Sequence, residues 1–187
     1  ALRLHCEARL AAAQARIERE FGRLDLLVNN AGISRAARSD GDFLEGYAAA
    51  NKASTASLDE IRAVWETNVF GTLAVYQAML PLLRKSSDAR IVNVSSGVGS
   101  LTANADPSYP YHSMYGPVYP ASKTAENAIP LAIMVELEDA DIKVNLVSPA
   151  FTATNLNAFA GTESVEDGSR EVVRVCLLGP DGPSGTF

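Results

Sequence analysis

Three short apolar runs alternate with longer amphipathic segments along this chain. The runs cover residues 24–28, 91–94 and 142–147, and each is rich in leucine or β-branched side chains and is followed within a few residues by glycine, serine or proline. Runs of this length and composition predict buried β-strands. Because helix-forming segments separate them, we expect βαβ units and a parallel sheet, which is an α/β fold.

The segments between the runs carry the pattern of helices. Residues 8–21 are rich in alanine, glutamate and arginine, and residues 120–138 start with Pro120 at a favoured first-turn position. Residues 58–84 place apolar side chains at helical spacing, with a bend expected at Pro81. The apolar stripe expected on this helix consists of Leu58, Ile61, Trp65, Val69, Leu73, Tyr76, Leu80 and Leu83.

Polar and small residues follow each predicted strand, at residues 29–32, 95–97 and 148–154. In an open parallel sheet, ligands bind beyond the carboxyl ends of the strands, so we expect these three segments to converge on one site. Residues 33–57 and 97–118 have weak periodicity, and loops of this length are usually functional or disordered.

Composition narrows the function classes. The 187 residues are 47% hydrophobic and 20% charged, which is ordinary for a globular protein and enough for one domain. A net charge of −6 provides no basic surface, so nucleic acid and membranes are not expected partners. No apolar stretch is long enough to span a bilayer and no signal peptide is visible, so we expect a cytoplasmic protein. The two cysteines and two histidines lack metal-ligand spacing, so we expect no metal site.

The most informative polar pair is Tyr119 and Lys123, which are four residues apart. On a helix, such positions are neighbours on one face, about 5–6 Å apart at Cβ. An ammonium group that close to a phenol stabilises the phenolate and lowers the pKa of the tyrosine, which then suits general acid or base catalysis. Taken alone, such a pair is more often an exposed tyrosine and lysine on an amphipathic helix.

Two further residues occupy positions from which they could assist this pair. Ser96 follows the second strand, where its hydroxyl could hold a substrate oxygen, although serine more often caps a helix. Asn68 falls on the apolar stripe of residues 58–84. Since a buried amide must be hydrogen-bonded, Asn68 either caps a kink or holds a water molecule.

Four motifs in this order resemble the short-chain dehydrogenase/reductase family over residues 8–187. They are Asn-Asn-Ala-Gly at 29–32, Asn68 in Glu-Thr-Asn-Val-Phe-Gly, Ser96 in Val-Asn-Val-Ser-Ser, and Tyr119 with Lys123. The resemblance implies a Rossmann-like, doubly wound parallel sheet with helices on both faces, as a single partial domain over residues 1–187. The wide spacing between Ser96 and Tyr119 resembles the carbonyl-reductase-like branch.

The resemblance also implies hydride transfer between NADP, with NAD as the alternative, and a small carbonyl or secondary alcohol substrate. Tyr119 would give a proton to the substrate oxygen or take it back, and Ser96 would orient that oxygen. Lys123 would lower the pKa of Tyr119 and hydrogen-bond the nicotinamide ribose. Asn68 would hold a water molecule that links Lys123 to solvent.

A second set of residues is implied to contact the cofactor. Asn29 would tie neighbouring strands, Ala31 and Gly32 would lie near the adenosine, and residues 149–152 would pass the nicotinamide. The implied cofactor-binding residues are Asn29, Ala31, Gly32, Tyr119, Lys123, Pro149, Ala150 and Thr152. Ala150 stands where the family often has glycine, and its methyl group is tolerable unless its φ angle must be positive.

The beginning of the chain departs from the family. A glycine-rich turn should receive the cofactor's pyrophosphate ahead of residue 24, but the first glycine is Gly22. The strand that precedes the first helix could persist only in residues 1–4. We therefore expect an N-terminally truncated chain that lacks the first strands and binds nicotinamide cofactor weakly by itself.

Three functions remain open at this point. An oxidoreductase is favoured by the intact catalytic-type positions, whereas the absent phosphate site favours a catalytically inactive remnant, and a third alternative is a non-enzymatic ligand-binding protein. Tyr109, Tyr111, Met114 and Tyr115 indicate either an apolar substrate pocket or local packing. The substrate and the oligomeric state are not readable from the sequence.

Overall fold

The computed structural model describes residues 2–36, 47 and 51–187, with the backbone alone for residues 2–6. The elements, in chain order, are α1 (Leu2–Phe21), β1 (Leu26–Asn29), α2 (Leu58–Trp65), a π-helical segment (Glu66–Phe70), α3 (Gly71–Leu83), β2 (Ala89–Val94), α4 (Leu101–Ala105), α5 (Tyr119–Glu136), β3 (Ile142–Val147) and α6 (Val165–Cys176). None of these described helices is both long and apolar enough to cross a membrane.

The three predicted strands are confirmed and form one parallel sheet in the order β1-β2-β3. In this register, Asn29 lies beside Asn93, and Val94 lies beside Val147. Each strand is only a few residues long, but β2 is hydrogen-bonded on both sides. The carboxyl ends of all three strands therefore reach the same edge of the sheet.

Helices cover both faces of the sheet, which confirms the predicted Rossmann-like α/β architecture. On one face, Ile91 and Val144 pack with Leu82 of α3 and Ile133 of α5 in a fully buried cluster. Because successive strand residues point to opposite faces, Val92 joins the second cluster. That cluster packs against α6 through Val94, Val147 and Val175.

The first helix differs from the expectation for the chain's beginning. The prediction that residues 1–4 keep the remainder of a strand is wrong for the described residues, because α1 already starts at Leu2. Leucine, arginine, glutamate and alanine are all strong helix formers, so the helical composition of residues 8–21 continues upstream.

The helix predicted over residues 58–84 is interrupted by the π-helical segment Glu66–Phe70. Its wider turn contains more residues than an α-helical turn, so the buried face of α2 is rotated relative to that of α3. As a result, the expected stripe is only partly correct. Leu58 is 65% exposed, whereas Val64 and Leu82, which the stripe omitted, are buried.

The outer edge of β3 is covered by the segment 184–186. Gly185 N donates to the carbonyl of Val144 at 2.8 Å, and Leu146 N donates to the carbonyl of Thr186 at 2.9 Å. Asn145, which is buried, also accepts from the backbone N–H of Thr186 at 3.1 Å. This segment therefore extends the hydrogen bonding of the sheet beyond β3.

Two buried amides join β1 to β2 through their side chains. Asn29 Nδ2 donates to Asn93 Oδ1 at 2.9 Å, and Asn93 is fully buried. Asn93 Nδ2 has no partner among the described residues. Among the described residues, Asn29 is therefore the side-chain donor to Asn93 Oδ1.

Substituting Asn29→Ala should lower the free energy of unfolding by about 1–3 kcal/mol, because it leaves a buried oxygen of Asn93 without a donor. Urea denaturation measures the change. Asn30→Ala is the matched control, since Asn30 is the adjacent residue and is exposed; it should change stability by less than about 0.5 kcal/mol. Equal effects of the two substitutions would contradict a structural role for the amide pair.

Candidate active site

A cavity of about 540 Å³ opens at the carboxyl ends of the three strands. The segments that follow β1, β2 and β3 each contribute to its wall, and α5 closes one side with Tyr119 and Lys123. The sequence-based expectation that residues 29–32, 95–97 and 148–154 converge is thus met by the backbone topology.

Most of the predicted site residues line this cavity. Those in its wall are Gly32, Ser96, Tyr119, Lys123, Pro149, Ala150 and Thr152. Asn29, Ala31 and Asn68 are not in the wall. Asn29 is bonded to Asn93, Ala31 is exposed, and Asn68 is buried behind the cavity, bonded to Ile33 and Ser122.

Tyr119 is the first residue of α5, and Pro120 follows it in the first helical turn. The Ser96 side chain is close enough to the Tyr119 hydroxyl to lower the pKa of Tyr119 in part. Ser96 precedes the short 3₁₀ turn Gly97–Gly99, yet its side chain makes no capping bond to that turn. The Ser96 hydroxyl is therefore directed to Tyr119 rather than to the helix-capping role that serine usually fills.

Lys123 is buried one turn further along α5. Its Nζ donates to the carbonyl oxygen of Val94 at 3.0 Å, and it lies 2.6 Å from Oε2 of Glu126. The same Nζ is 5.8 Å from the centre of the Tyr119 ring. The lysine is thus anchored to the end of β2 and paired with a carboxylate on its own helix.

The electrostatics of Tyr119 differ from the expectation. Burial raises the pKa of Tyr119, the negative charge of Glu126 raises it further, and the hydrogen bond from Ser96 opposes this only in part. The prediction that Lys123 holds the pKa of Tyr119 below its ordinary value is wrong for this arrangement. The main physical reason is the burial of the phenol, and the negative charge of Glu126 adds to it.

Asn68 lies in the π-helical segment and is fully buried. Its Oδ1 accepts from the backbone N–H of Ile33 at 2.9 Å, while its Nδ2 donates to the Ile33 carbonyl and to Ser122 Oγ, each at 2.9 Å. These bonds fasten the segment after β1 to α5. The amide therefore sits at the irregular turn of the helix, one of the two alternatives open from sequence, and its link to a water molecule stays a prediction.

Gly32 allows the segment after β1 to pass close to this group. A Cβ atom placed on Gly32 would lie 3.4 Å from Asn68 Oδ1 and 3.6 Å from Lys123 Nζ. The absence of a side chain therefore keeps the space in front of the lysine open on the cavity side.

The segment after β3 is held in an unusual conformation. Ala150 has a φ of 59°, in the left-handed region that favours glycine. Thr152 Oγ1 donates to the Pro149 carbonyl at 2.6 Å, and Asn157 Nδ2 donates to the Thr152 carbonyl at 2.9 Å. These bonds hold the turn although its positive φ strains Ala150. The alanine methyl group was expected to be tolerated only where φ is not positive, so it is unfavourable here.

Two residues near the candidate site were missed by the sequence reasoning. Glu126 is almost completely buried, and the available signal was its position three residues after Lys123 on the same helix. Tyr47 is buried and lines the cavity, but it belongs to residues 33–57, where no periodicity pointed to it. Of that predicted loop, residues 37–46 and 48–50 lie outside the described residues.

Comparison with known proteins decides the family. Residues 3–164 match the family model described as short chain dehydrogenase. The chain belongs to the short-chain dehydrogenase family. Its parallel sheet with helices on both faces agrees with the fold that the ordered motifs implied.

Three similar proteins illustrate the relationship within the short-chain dehydrogenases. Short-chain dehydrogenase anuI of Penicillium roqueforti is 38% identical over 174 residues, which cover 91% of this chain and 64% of anuI. The structure of salutaridine reductase from Papaver somniferum aligns with a TM-score of 0.74 and 25% identity over 97% of this chain and 78% of that one. A short chain dehydrogenase from Shigella flexneri complexed with NADP aligns with a TM-score of 0.61 and 27% identity over 81% of this chain and 54% of that one.

This chain spans less than two thirds of the length of the curated short-chain dehydrogenases it matches first: 64% of anuI and 42% of dehydrogenase/reductase SDR family member 7B of Mus musculus.

Substituting Ala150→Gly should raise the free energy of unfolding by about 0.5–1 kcal/mol, because relief of the left-handed strain exceeds the added entropy of the unfolded chain. Chemical denaturation measures the change. Ala153→Gly is the control, because Ala153 lies in the same segment without a positive φ; there the substitution should destabilise by about 0.4–1 kcal/mol. A loss of stability in both variants would show that Ala150 is not strained.

Proposed function

We propose that this protein is an NADP-dependent oxidoreductase of the cytoplasm that transfers hydride between the cofactor and a carbonyl or secondary alcohol, with Tyr119 as the general acid and base. The observation that carries the proposal is the Tyr119 hydroxyl, which shares the wall of one cavity with Ser96 and Lys123. A phenol and a second hydroxyl facing one cavity suit an oxygen atom that gains and loses a proton.

The residues present fit the nicotinamide end of the cofactor. Gly32 leaves open a space beside Lys123 Nζ that a side chain would narrow. Lys123 would hold the ribose hydroxyls, and the backbone of residues 149–152 would face the nicotinamide. When bound, the cofactor supplies or accepts the hydride.

The proton chemistry belongs to the chain itself. In the direction of reduction, Ser96 donates a hydrogen bond to the substrate oxygen and Tyr119 gives its proton to that oxygen. In oxidation, the Tyr119 phenolate takes the proton back. Because the pKa of Tyr119 is raised, the phenol is protonated at neutral pH, which is the form required for reduction.

NADP is proposed in preference to NAD. The support is the short chain dehydrogenase from Shigella flexneri that is complexed with NADP and shares 27% identity with this chain. Comparing the binding of NADPH and NADH to the full-length protein by fluorescence titration tests this choice.

The proposed substrate is an apolar, aromatic carbonyl compound. Tyr109 and Tyr111 meet edge to face with their ring centres 5.6 Å apart, and Tyr111 lies 6.2 Å from the ring of Phe151. All three rings line the cavity, as does Met114. The rings therefore pack against one another and also form part of the cavity wall, which combines the two alternatives left open by the sequence. Tyr115 corrects the sequence-based grouping, since it is not in the wall and its hydroxyl is bonded to Thr124 Oγ1 at 3.1 Å.

A ligand-binding protein without turnover is the second candidate function. The ion pair between Lys123 and Glu126 favours it, because this pair withholds from Tyr119 the cationic neighbour that would stabilise a phenolate. Turnover by the wild-type protein, measured beside the Tyr119→Phe variant, separates the two candidates.

In the full-length protein, Tyr119→Phe should lower the rate of NADPH-dependent reduction of an aromatic ketone or aldehyde by at least about 100-fold, because the proton donor is lost. NADPH binding, followed by fluorescence, should be retained. Tyr115→Phe is the matched control, since it removes the hydroxyl of a tyrosine that lies outside the cavity wall. It should keep the rate within about twofold. A Tyr119→Phe protein that retains a tenth of the rate would overturn the role of Tyr119, and a wild-type protein that binds NADPH without turnover of any carbonyl would favour the second candidate.

A further inference from the structure

Glu126 is a carboxylate enclosed in the helix that carries Tyr119 and Lys123. It is 1% exposed, and Lys123 beside it is 4% exposed. The two charged groups are 2.6 Å apart, one turn apart on α5. Charged side chains are almost never buried to this extent unless they are paired, so the position of each depends on the other.

Among the described residues, Lys123 is the charged group paired with Glu126. Apart from the contact with Lys123, neither of its carboxylate oxygens has a hydrogen-bond partner among the described residues. The neighbouring elements present neutral polar groups: the Val94 carbonyl bonds Lys123, and Ser95 bonds Asn127 of α5. Lys123 is therefore the group that keeps this carboxylate in the interior.

Two titratable groups are coupled to Glu126 in this region, and a third is coupled to Tyr119. Lys123 lowers the pKa of Glu126, opposing the larger effect of burial, which raises it. Glu126 in turn raises the pKa of Tyr119. Tyr47, from the segment after β1, lines the same cavity; burial raises its pKa, and the charge of Tyr119 adds to this.

We propose that Glu126 is a positioning residue that holds Lys123 against the end of β2 and offsets its charge beside the Tyr119 phenol. This inference rests on the proposed role of Tyr119 and makes it more specific. The lysine retains its N–H groups for hydrogen bonding, but its positive charge no longer acts alone on the phenol 5.8 Å away.

The consequence is a bias in the pH range of the two directions of reaction. A protonated Tyr119 is the acid needed for carbonyl reduction, whereas alcohol oxidation needs the phenolate. With the negative charge of Glu126 nearby, the phenolate forms only at higher pH. Reduction therefore persists into alkaline solution, and oxidation begins at higher pH than the Tyr119–Lys123 pair alone would give.

The direct test is a spectroscopic pH titration that requires no turnover. Tyrosinate formation is followed by ultraviolet absorbance in wild type and Glu126→Gln, with Tyr119→Phe in each background to isolate the Tyr119 signal. Removing the negative charge should move the Tyr119 transition to lower pH by about one pH unit. Glu138→Gln, which changes an exposed glutamate just beyond α5, should leave the transition in place.

The kinetic test uses the full-length protein and the pH profile of kcat/KM for carbonyl reduction. The alkaline loss of activity should move to lower pH in Glu126→Gln by the same amount, while Glu126→Asp, which keeps the charge, should restore the wild-type profile. Where Glu126→Gln does not fold, Glu126→Leu removes the same charge, and the same shift is expected.

The outcomes separate the two proposals. An unchanged Tyr119 transition in folded Glu126→Gln or Glu126→Leu overturns the role of Glu126, whatever the activity of the protein. In the second outcome, the Tyr119 transition moves as expected, but turnover survives Tyr119→Phe. This result supports the electrostatic role of Glu126 and overturns the proposed function instead.

Discussion

The candidate site depends on β2 being hydrogen-bonded in parallel to both of its neighbours. With β1 on one side and β3 on the other, three short strands end at one edge of the sheet. The polar segments after them, distant in sequence, are brought to one cavity by this pairing. The backbone carbonyl of Val94, the last residue of β2, also supplies the anchor for Lys123. The strand pairing and the position of Lys123 are thus parts of one hydrogen-bonded arrangement.

Around this sheet, buried amides rather than apolar contacts determine where the loops lie. Asn29 joins β1 to Asn93, and Asn68 holds Ile33 to α5. Asn157 holds the turn after β3 through the Thr152 carbonyl. Since an unpaired buried polar group costs about 1–3 kcal/mol, each amide penalises alternative loop positions more strongly than a nonpolar side chain would. The cavity wall is therefore specified by directional bonds.

The strands, the main helices and the Tyr119–Lys123 pair were predictable because each is determined by local patterns: short apolar runs, helix-forming composition and a spacing of four residues. The π-helical segment was not, because the sequence Glu-Thr-Asn-Val-Phe has ordinary helical character and its irregularity follows from the buried partners of Asn68. Leu58 was misassigned for the same reason.

The electrostatics of the candidate site were the least accessible part of it. A glutamate at the third position after Lys123 has the spacing of an exposed helical ion pair, and only the packing of α5 shows that both groups are buried. The strain at Ala150 likewise depends on the bonds of Thr152 and Asn157, which no local pattern reveals. Tertiary contacts alone determine these features.

The segment 184–186 has a consequence for association between copies of the protein. A strand at the edge of a sheet presents unpaired backbone groups to which another chain can add. On the β3 side, the backbone bonds to Gly185 and Thr186 occupy these groups from within the same chain. The side-chain amide of Asn145 then fastens the segment, donating to the Pro183 carbonyl at 3.0 Å. Strand addition at β3 would have to displace these bonds first, so this edge of the sheet is protected against intermolecular β-pairing.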